Sequence, residues 1–133
     1  MTRVMCFGTF DCFHPGHLSY LKQASNFGDF LIIVLARDKN VLELKKKSPI
    51  YDEKKRGDMM KEELEKTDLN FEIILGNLED KFLVIKEKKA DIICLGYDQM
   101  VDMQKLEENF SGKIVRLKAY RPDIYKSSKI LMR

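Results

Sequence analysis

Two histidines with a spacing suited to phosphate chemistry lie near the amino terminus. His14 and His17 are the only two histidines of the chain, and both fall in the segment GTFDCFHPGH at positions 8–17. Pro15 suits the first turn of a helix, where its missing N–H costs nothing, and Gly16 lets a phosphate approach backbone amides at a helix N-terminus. We interpret this segment as an anion site whose imidazole and amide donors stabilise charge during phosphoryl-group chemistry.

Two other interpretations of the histidines compete with this one. One imidazole could cap the helix while the other is an ordinary surface side chain. A metal centre would need more ligands than Asp11, the only further candidate nearby. The segment follows a predicted strand and opens a predicted helix, which is the context that a phosphate-binding motif requires, so phosphate recognition is favoured.

The elements that must position these residues alternate along the chain. Short apolar runs predict strands at residues 3–7, 30–36, 71–75, 92–95 and 114–117. Helical spacing predicts helices at residues 16–26, 53–66, 81–88, 104–110 and 127–132. No run is followed by a two-residue hairpin turn, so the pattern predicts an α/β fold with a five-stranded parallel sheet. The least regular stretch, 38–51, is expected to be a mobile loop.

Composition narrows the class of protein. The length of 133 residues suits one domain over 1–133, and 34% charged residues with a net charge of +3 describe a globular protein whose basic and acidic residues alternate. This argues against a nucleic-acid surface and favours a small anionic ligand. No apolar run approaches the ~20 residues that span a bilayer, and no leader is recognisable, so we expect a cytoplasmic protein with no membrane partner.

The three cysteines carry no pairing signal. Cys6, Cys12 and Cys94 are an odd number without a CxxC pair, which indicates reduced thiols. Cys6 and Cys94 fall on predicted inner strands and are expected in the core, while Cys12 is expected to pack and not to react.

The segment GTFD at 8–11 followed by HPGH at 14–17 resembles the signature of the cytidylyltransferase-like nucleotidyltransferases. This resemblance implies a Rossmann-like three-layer fold and the transfer of a nucleoside monophosphate from a triphosphate to a phosphate-bearing acceptor, with release of pyrophosphate. It extends through nearly the whole chain, because Arg121 and the SSKI segment at 127–130 match the spacing of a second signature that closes over the triphosphate. Hydroxyls and amides at a helix start accept an anion, while arginine adds a fork and lysine a point charge.

The resemblance implies roles for individual residues. Nucleotide contacts are expected from Thr9, Phe10, His14, Pro15, Gly16, His17, Asp98, Tyr125, Ser127 and Ser128. Catalytic donors are expected from His14, His17, Arg121 and Lys129. On the residues alone, Ser127 and Ser128 could equally be an ordinary helix cap.

Further positions are expected at the acceptor and at a magnesium-bound triphosphate. The resemblance implies substrate-binding roles for Asp11, Lys45, Lys47 and Arg56, although the lysine run could be a solvated surface and Arg56 a surface helix residue. It does not choose among Lys45, Lys46 and Lys47. Asp38 and Asp98 follow predicted strands and could each cap a turn or hold a ribose hydroxyl, and the resemblance favours Asp98. No dedicated metal site is predicted; Mg²⁺ is expected to arrive with the nucleoside triphosphate.

Within this family, the segments at 36–38, 95–99 and 125–128 resemble the archaeal FAD synthases more than the glycerol-3-phosphate cytidylyltransferases. Tyr97 stands where the latter have a second acidic residue, and 75–77 lacks their substrate-phosphate lysine. The implied reaction is AMP transfer from ATP to FMN, with Tyr97, Tyr120 or Tyr125 as candidates for a wall against the isoalloxazine ring. The alternatives are a cytidylyltransferase that uses CTP with glycerol 3-phosphate or a similar acceptor, and a non-catalytic nucleotide-binding regulatory module. A homodimer is also implied.

Overall fold

A computed structural model of the chain describes residues 1–80, 82–97, 99 and 101–118. The strands are β1 (Arg3–Gly8), β2 (Phe30–Leu35), β3 (Phe71–Leu75), β4 (Ile92–Leu95) and β5 (Lys113–Arg116). The helices are α1 (Pro15–Ser25), α2 (Asp38–Lys45), α3 (Glu53–Leu64), α4 (Leu83–Glu87) and α5 (Met103–Asn109). The predicted helix at 127–132 lies outside the described residues.

The five strands form one parallel sheet in the order β3-β2-β1-β4-β5. Each strand was predicted to within one residue at either end, because the apolar runs that encode buried parallel strands are nearly continuous. The chain winds outward from β1 to β3 and then returns to the other side of β1 for β4. The α/β fold class and the Rossmann-like arrangement are therefore confirmed.

Helices cover both faces of the sheet. On β1, Val4 and Cys6 point to one face, where Leu21 of α1 and Met60 of α3 complete a core cluster. Met5 points to the opposite face and packs with residues of α4 and α5. The alternation of side chains along a strand divides the interior into two apolar layers, which makes the fold three layers deep.

The expectation of an irregular loop over residues 38–51 is wrong for its first half. Residues Asp38–Lys45 form α2, which ends where Lys46 adopts a left-handed conformation at φ 62° and donates its N–H to the Leu42 carbonyl. Val41 is the only buried residue of this helix. One apolar anchor in eight residues produces no helical period, so the pattern gave no signal.

The core thiols lie as expected. Cys6 and Cys94 are register partners on β1 and β4 and are fully buried. Burial raises the pKa of both thiols, that of Cys94 to about 11. Among the described residues, no helix has the length and apolar character needed to cross a membrane.

Candidate functional site

β1 and β4 diverge at their carboxyl ends, where the winding direction of the chain reverses. Pairing of β1 with β4 stops at Cys6 and Cys94, whereas pairing of β1 with β2 continues to Gly8 and Leu35. In open α/β sheets, ligands bind at such a switch point, outside the carboxyl ends of the strands. The segment that contains both histidines leaves β1 at this point.

Two side chains satisfy the backbone groups that the diverging strands leave without a partner. The Phe7 N–H donates to the Tyr20 hydroxyl at 3.3 Å, and this hydroxyl donates to the Cys94 carbonyl at 2.6 Å. The Gln99 amide donates to the Phe7 carbonyl at 3.1 Å, and its oxygen accepts the Gly96 N–H at 3.1 Å. Buried backbone groups need such partners. Sequence analysis assigned no role to Tyr20 or Gln99, because their function appears only when β1 and β4 separate.

His14 and His17 form a reciprocal cap at the start of α1. His14 Nδ1 accepts the Gly16 N–H at 3.1 Å, and His17 Nδ1 accepts the His14 N–H at 3.3 Å. The two rings stack with centroids 3.7 Å apart. A neutral imidazole whose Nδ1 accepts a hydrogen bond carries its proton on Nε2. The cap therefore sets both rings as Nε2–H donors.

Both imidazoles are held in the neutral form. Burial lowers the pKa of His14. Burial, together with the charges of His14 and Lys45, lowers the pKa of His17 to about 3. A neutral Nε2–H can donate to a phosphoryl oxygen without any proton being lost in the reaction. The interpretation of the histidines as helix caps is thus compatible with their interpretation as phosphate donors. In each ring Nδ1 serves the cap, and Nε2–H is the donor.

The Phe10 side chain packs against His17 and Tyr20. Phe10 is only 3% exposed, adopts φ 53°, and places its ring edge-on to His17 at 5.4 Å and stacked on Tyr20 at 6.2 Å. Its ring lies so close to Gly8 that a Cβ there would stand 2.8 Å from it, which explains the glycine. Phe10 was predicted as a nucleotide contact; its side chain is buried in the core, so such a contact would come from its backbone and remains a prediction.

Asp11 fixes the segment before α3. Its Oδ2 accepts the Ile50 N–H at 2.6 Å and its Oδ1 accepts the Tyr51 N–H at 3.1 Å, and the residue is only 4% exposed. The carboxylate therefore joins the β1–α1 loop (residues 9–14) to residues 50–51. Its predicted role beside the triphosphate or the acceptor remains a prediction.

Arg56 is fully buried, so its interpretation as a surface helix residue is wrong. Its guanidinium donates to the Thr9 carbonyl at 2.7 Å, to the Tyr51 carbonyl at 3.0 Å and to Asp38 Oδ1 at 2.7 Å. The planar fork suits three acceptors that converge from different segments. This geometry gives Arg56 a positioning role, and direct contact with a substrate remains a prediction.

Asp38 joins the starts of two helices. Its Oδ2 accepts the Glu53 N–H at 3.1 Å, and Glu53 Oε1 accepts the Asp38 N–H at 3.0 Å. Each carboxylate thus caps the other's helix, where the helix dipole favours negative charge. Of the two predicted roles of Asp38, capping is the one that the structure contains. Glu53 was missed because its partner lies 15 residues away.

Among the three adjacent lysines, Lys45 is the one whose amine reaches the β1–α1 loop. Its Nζ donates to the Thr9 hydroxyl at 3.3 Å. All three lysines are exposed, and Lys46 forms the left-handed end of α2. The structure thus distinguishes the three residues, which sequence reasoning could not do.

The second half of the predicted site lies outside the described residues. These predicted positions are Asp98, Arg121, Tyr125, Ser127, Ser128 and Lys129, together with Tyr120 as a candidate ring wall. Lys118, the last described residue before most of them, is held by Gln23 of α1, whose side chain exchanges two hydrogen bonds of 3.0 Å with the Lys118 backbone. Within the described ranges, no three His, Cys, Asp or Glu side chains are grouped as a metal site would require.

Comparisons with known proteins agree with this geometry. The sequence model of the family described as cytidylyltransferase-like matches residues 5–133. The chain is 41% identical to the FAD synthase of Methanohalophilus mahii, over 100% of this chain and 94% of that protein. It is 43% identical to the FAD synthase of Archaeoglobus profundus, over 100% of this chain and 86% of that protein. The chain is also similar to a solved structure, that of the lipopolysaccharide core biosynthesis protein from Thermoplasma volcanium, with 39% sequence identity and a TM-score of 0.77. The match covers 90% of this chain and 98% of that protein's chain.

Proposed function

The chain belongs to the cytidylyltransferase-like family of nucleotidyltransferases, and from that premise we propose that it is an FAD synthase, which transfers AMP from ATP to FMN and releases pyrophosphate. The stacked pair of His14 and His17 is the observation that carries the proposal, because two neutral donors at a helix N-terminus suit displacement at a phosphorus atom. FMN is assigned as the acceptor from the archaeal FAD synthases, which are similar over the full length of the chain.

The reaction requires little covalent chemistry from the protein. An ionised phosphate oxygen of FMN attacks the α-phosphorus of ATP, the bond from that phosphorus to the bridging oxygen breaks, and pyrophosphate leaves with the electron pair. The acceptor brings its own ionised nucleophile, so no general base is needed. His14 and His17 donate through Nε2–H to the phosphoryl oxygens, where negative charge builds up.

The remaining charge is neutralised from two directions. Lys45, placed at Thr9, offers an ammonium group beside the loop. Arg121, Ser127, Ser128 and Lys129 are proposed to close over the triphosphate from the other direction, with Asp98 and Tyr125 as nucleotide contacts. Gln23 supports this arrangement, since it holds Lys118, the residue from which the chain continues toward them, against α1.

Mg²⁺ is proposed to enter with ATP. The triphosphate supplies most of the oxygen ligands of such a cation, which commonly keeps several waters and few protein ligands. The cation would neutralise charge on the departing pyrophosphate. Chelation of divalent ions should therefore abolish FAD formation, and added Mg²⁺ should restore it.

The decisive experiment is a matrix of ATP and CTP against FMN and glycerol 3-phosphate, assayed for pyrophosphate and, with FMN, for FAD. FAD and pyrophosphate from ATP and FMN alone are expected. Pyrophosphate only from CTP and glycerol 3-phosphate would overturn the acceptor and establish a cytidylyltransferase. No turnover with any pair of substrates, with ATP binding retained, would support the regulatory module.

The homodimer and the cytoplasmic location also remain predictions. Light scattering tests the first of them.

A further inference from the structure

The end of β4 is supported by β5 after its pairing with β1 has stopped. Pairing of β4 with β1 ends at Cys94, whereas pairing of β4 with β5 continues to Leu95 and Arg116. The Leu117 N–H then donates to the Leu95 carbonyl at 2.8 Å. At the switch point, the chain that leaves β4 is therefore held from the β5 side.

A tight turn over residues 96–99, the β4 turn, follows this strand. The Gln99 N–H donates to the Gly96 carbonyl at 3.1 Å and closes the turn. The Gln99 side chain accepts the Gly96 N–H and donates to the Phe7 carbonyl, both at 3.1 Å. The β4 turn is thus attached to the end of β1, from which the β1–α1 loop continues. In sequence, the turn includes Asp98, which is proposed above as a nucleotide contact.

One arginine of β5 holds both ends of the β4 turn. Arg116 Nη1 donates to the Gly96 carbonyl at 2.7 Å and to the Gln99 carbonyl at 2.6 Å. The positive charge of the guanidinium strengthens both bonds, because hydrogen bonds from an ionised donor are stronger than those between neutral groups. Sequence analysis assigned no role to Arg116, since its two partners lie 20 and 17 residues away.

We infer that Arg116 is a positioning residue for ATP, because it fixes the β4 turn beside the β1–α1 loop. The inference rests on the proposed function. In open α/β sheets the ligand binds outside the carboxyl ends of the strands at the switch point, which is where the β4 turn lies. The strand that carries Arg116 also leads through Lys118 toward the second signature. One side chain therefore ties the β4 turn to the segment proposed to close over the triphosphate.

This role predicts which kinetic constant changes. A displaced β4 turn weakens the binding of ATP in the ground state and in the transition state alike, which raises the KM for ATP and leaves kcat almost unchanged. The donors of the transition state, His14 and His17, are oriented by their own cap at the start of α1 and do not depend on the β4 turn. The acceptor site should be unaffected as well.

The first test compares Arg116→Met with Arg116→Lys. Arg116→Met removes the donor but keeps a long side chain, and it should raise the KM for ATP about 10-fold. The Kd for Mg-ATP, measured by calorimetry without FMN, should rise by a similar factor. The KM for FMN and kcat should stay within about twofold of wild type. Arg116→Lys keeps a cation that can donate to both carbonyls, so its KM for ATP should stay within about threefold.

The matched control is Lys113→Met, which removes the same charge from the opposite end of β5. Lys113 pairs with Ile92 at the start of β4, away from the β4 turn. All kinetic constants should stay at their wild-type values in this variant. An equal rise in the KM for ATP in the two methionine variants would overturn the positioning role in favour of a general effect of positive charge.

A second test asks whether Arg116 and Gln99 act on the same turn. Gln99→Met releases the β4 turn from β1, while Arg116→Met releases it from β5. Two substitutions that loosen one turn should not have independent effects, so the double variant should raise the KM for ATP by less than the product of the single changes. A rise equal to that product would contradict a shared action through the β4 turn.

Melting temperatures are measured on the same samples. Arg116 is exposed, so Arg116→Met should melt close to wild type. If this variant keeps the wild-type KM and Kd for ATP in an enzyme that makes FAD, the positioning role is wrong and the proposed function survives. A joint loss of ATP affinity, FMN affinity and melting temperature would also overturn it, as general damage to the fold. If the wild type makes no FAD, the proposed function fails, and the affinity for Mg-ATP alone still decides the role of Arg116.

Discussion

The two sides of the β1–α1 loop are built by contacts of different range. On the α1 side, the bonds that orient His14 and His17 span two and three residues of sequence. On the α2 side, Arg56 reaches Thr9 across 47 residues and Asp11 reaches Ile50 across 39. The histidine pair is therefore a local structure, whereas the α2 side depends on the assembled fold. Substitutions on the first side that keep the capping acceptors should affect turnover alone, whereas loss of a buried long-range contact on the second side should affect stability as well.

The largest expected effect is on the long-range side. Arg56→Ala should lower the free energy of unfolding by about 3 kcal/mol, because it removes a buried guanidinium and leaves Asp38 and two carbonyls without their donor. Urea unfolding followed by circular dichroism measures this change. Arg37→Ala is the comparison, since Arg37 is partly exposed and makes a 3.5 Å ion pair with Glu53 and one hydrogen bond, to the Gly76 carbonyl at 2.7 Å, so its loss should cost about 1 kcal/mol. Equal losses would mean that Arg56 does not organise this side.

The second effect is a loss of turnover without a loss of stability when His14 or His17 is replaced on the α1 side. His14→Asn keeps an N-cap acceptor, and His17→Gln keeps the acceptor of a capping box, while both remove the imidazole donor. Each variant should lower kcat/KM about 100-fold in a pyrophosphate assay and unfold close to wild type. His14→Ala and His17→Ala should lose at least as much activity and some stability. Near-wild-type turnover in the Asn and Gln variants would reduce the histidines to helix caps.

A smaller effect separates the adjacent lysines. Lys45→Ala should lower kcat/KM for FMN about 10-fold, because it removes a charge placed at the β1–α1 loop, where we propose that phosphate binds. Lys47→Ala should change it by less than about twofold, as expected for an exposed surface charge. Steady-state kinetics with saturating ATP measures both variants. Similar losses in the two would indicate a diffuse field of positive charge, with no specific contact from Lys45.

The smallest effect is a pH dependence of stability. The pKa of His17 is about 3 in the fold and near 6.5 in the unfolded chain, so the unfolded state binds more protons between these values. Wild-type stability should therefore fall as pH drops below about 6.5, by on the order of 1 kcal/mol at pH 6 from this residue. His17→Gln has no such proton to bind. The difference in unfolding free energy between variant and wild type should shift in favour of the variant on going from pH 7 to pH 5. A constant difference would contradict the buried neutral imidazole.

The sequence predicted much of the fold because its signals are periodic and local. Continuous apolar runs located all five strands, and Pro15 with the histidine segment located the start of α1. The short α2 was missed, since Val41 is its only buried residue. The roles of Tyr20 and Gln99 were missed as well, because they satisfy backbone groups that are exposed only where β1 and β4 diverge.

By itself the sequence identified the family, through its signature segments. It also identified the histidine pair, because residues this close together at the start of a helix can contact each other in only a few ways. The tertiary structure decided which lysine reaches the loop, that Arg56 is buried, and that Asp38 and Glu53 cap each other's helices. These contacts join segments brought together by the order of the strands in the sheet. The chain has many polar residues of the same types. Which of them come into contact depends on where the folded backbone places them.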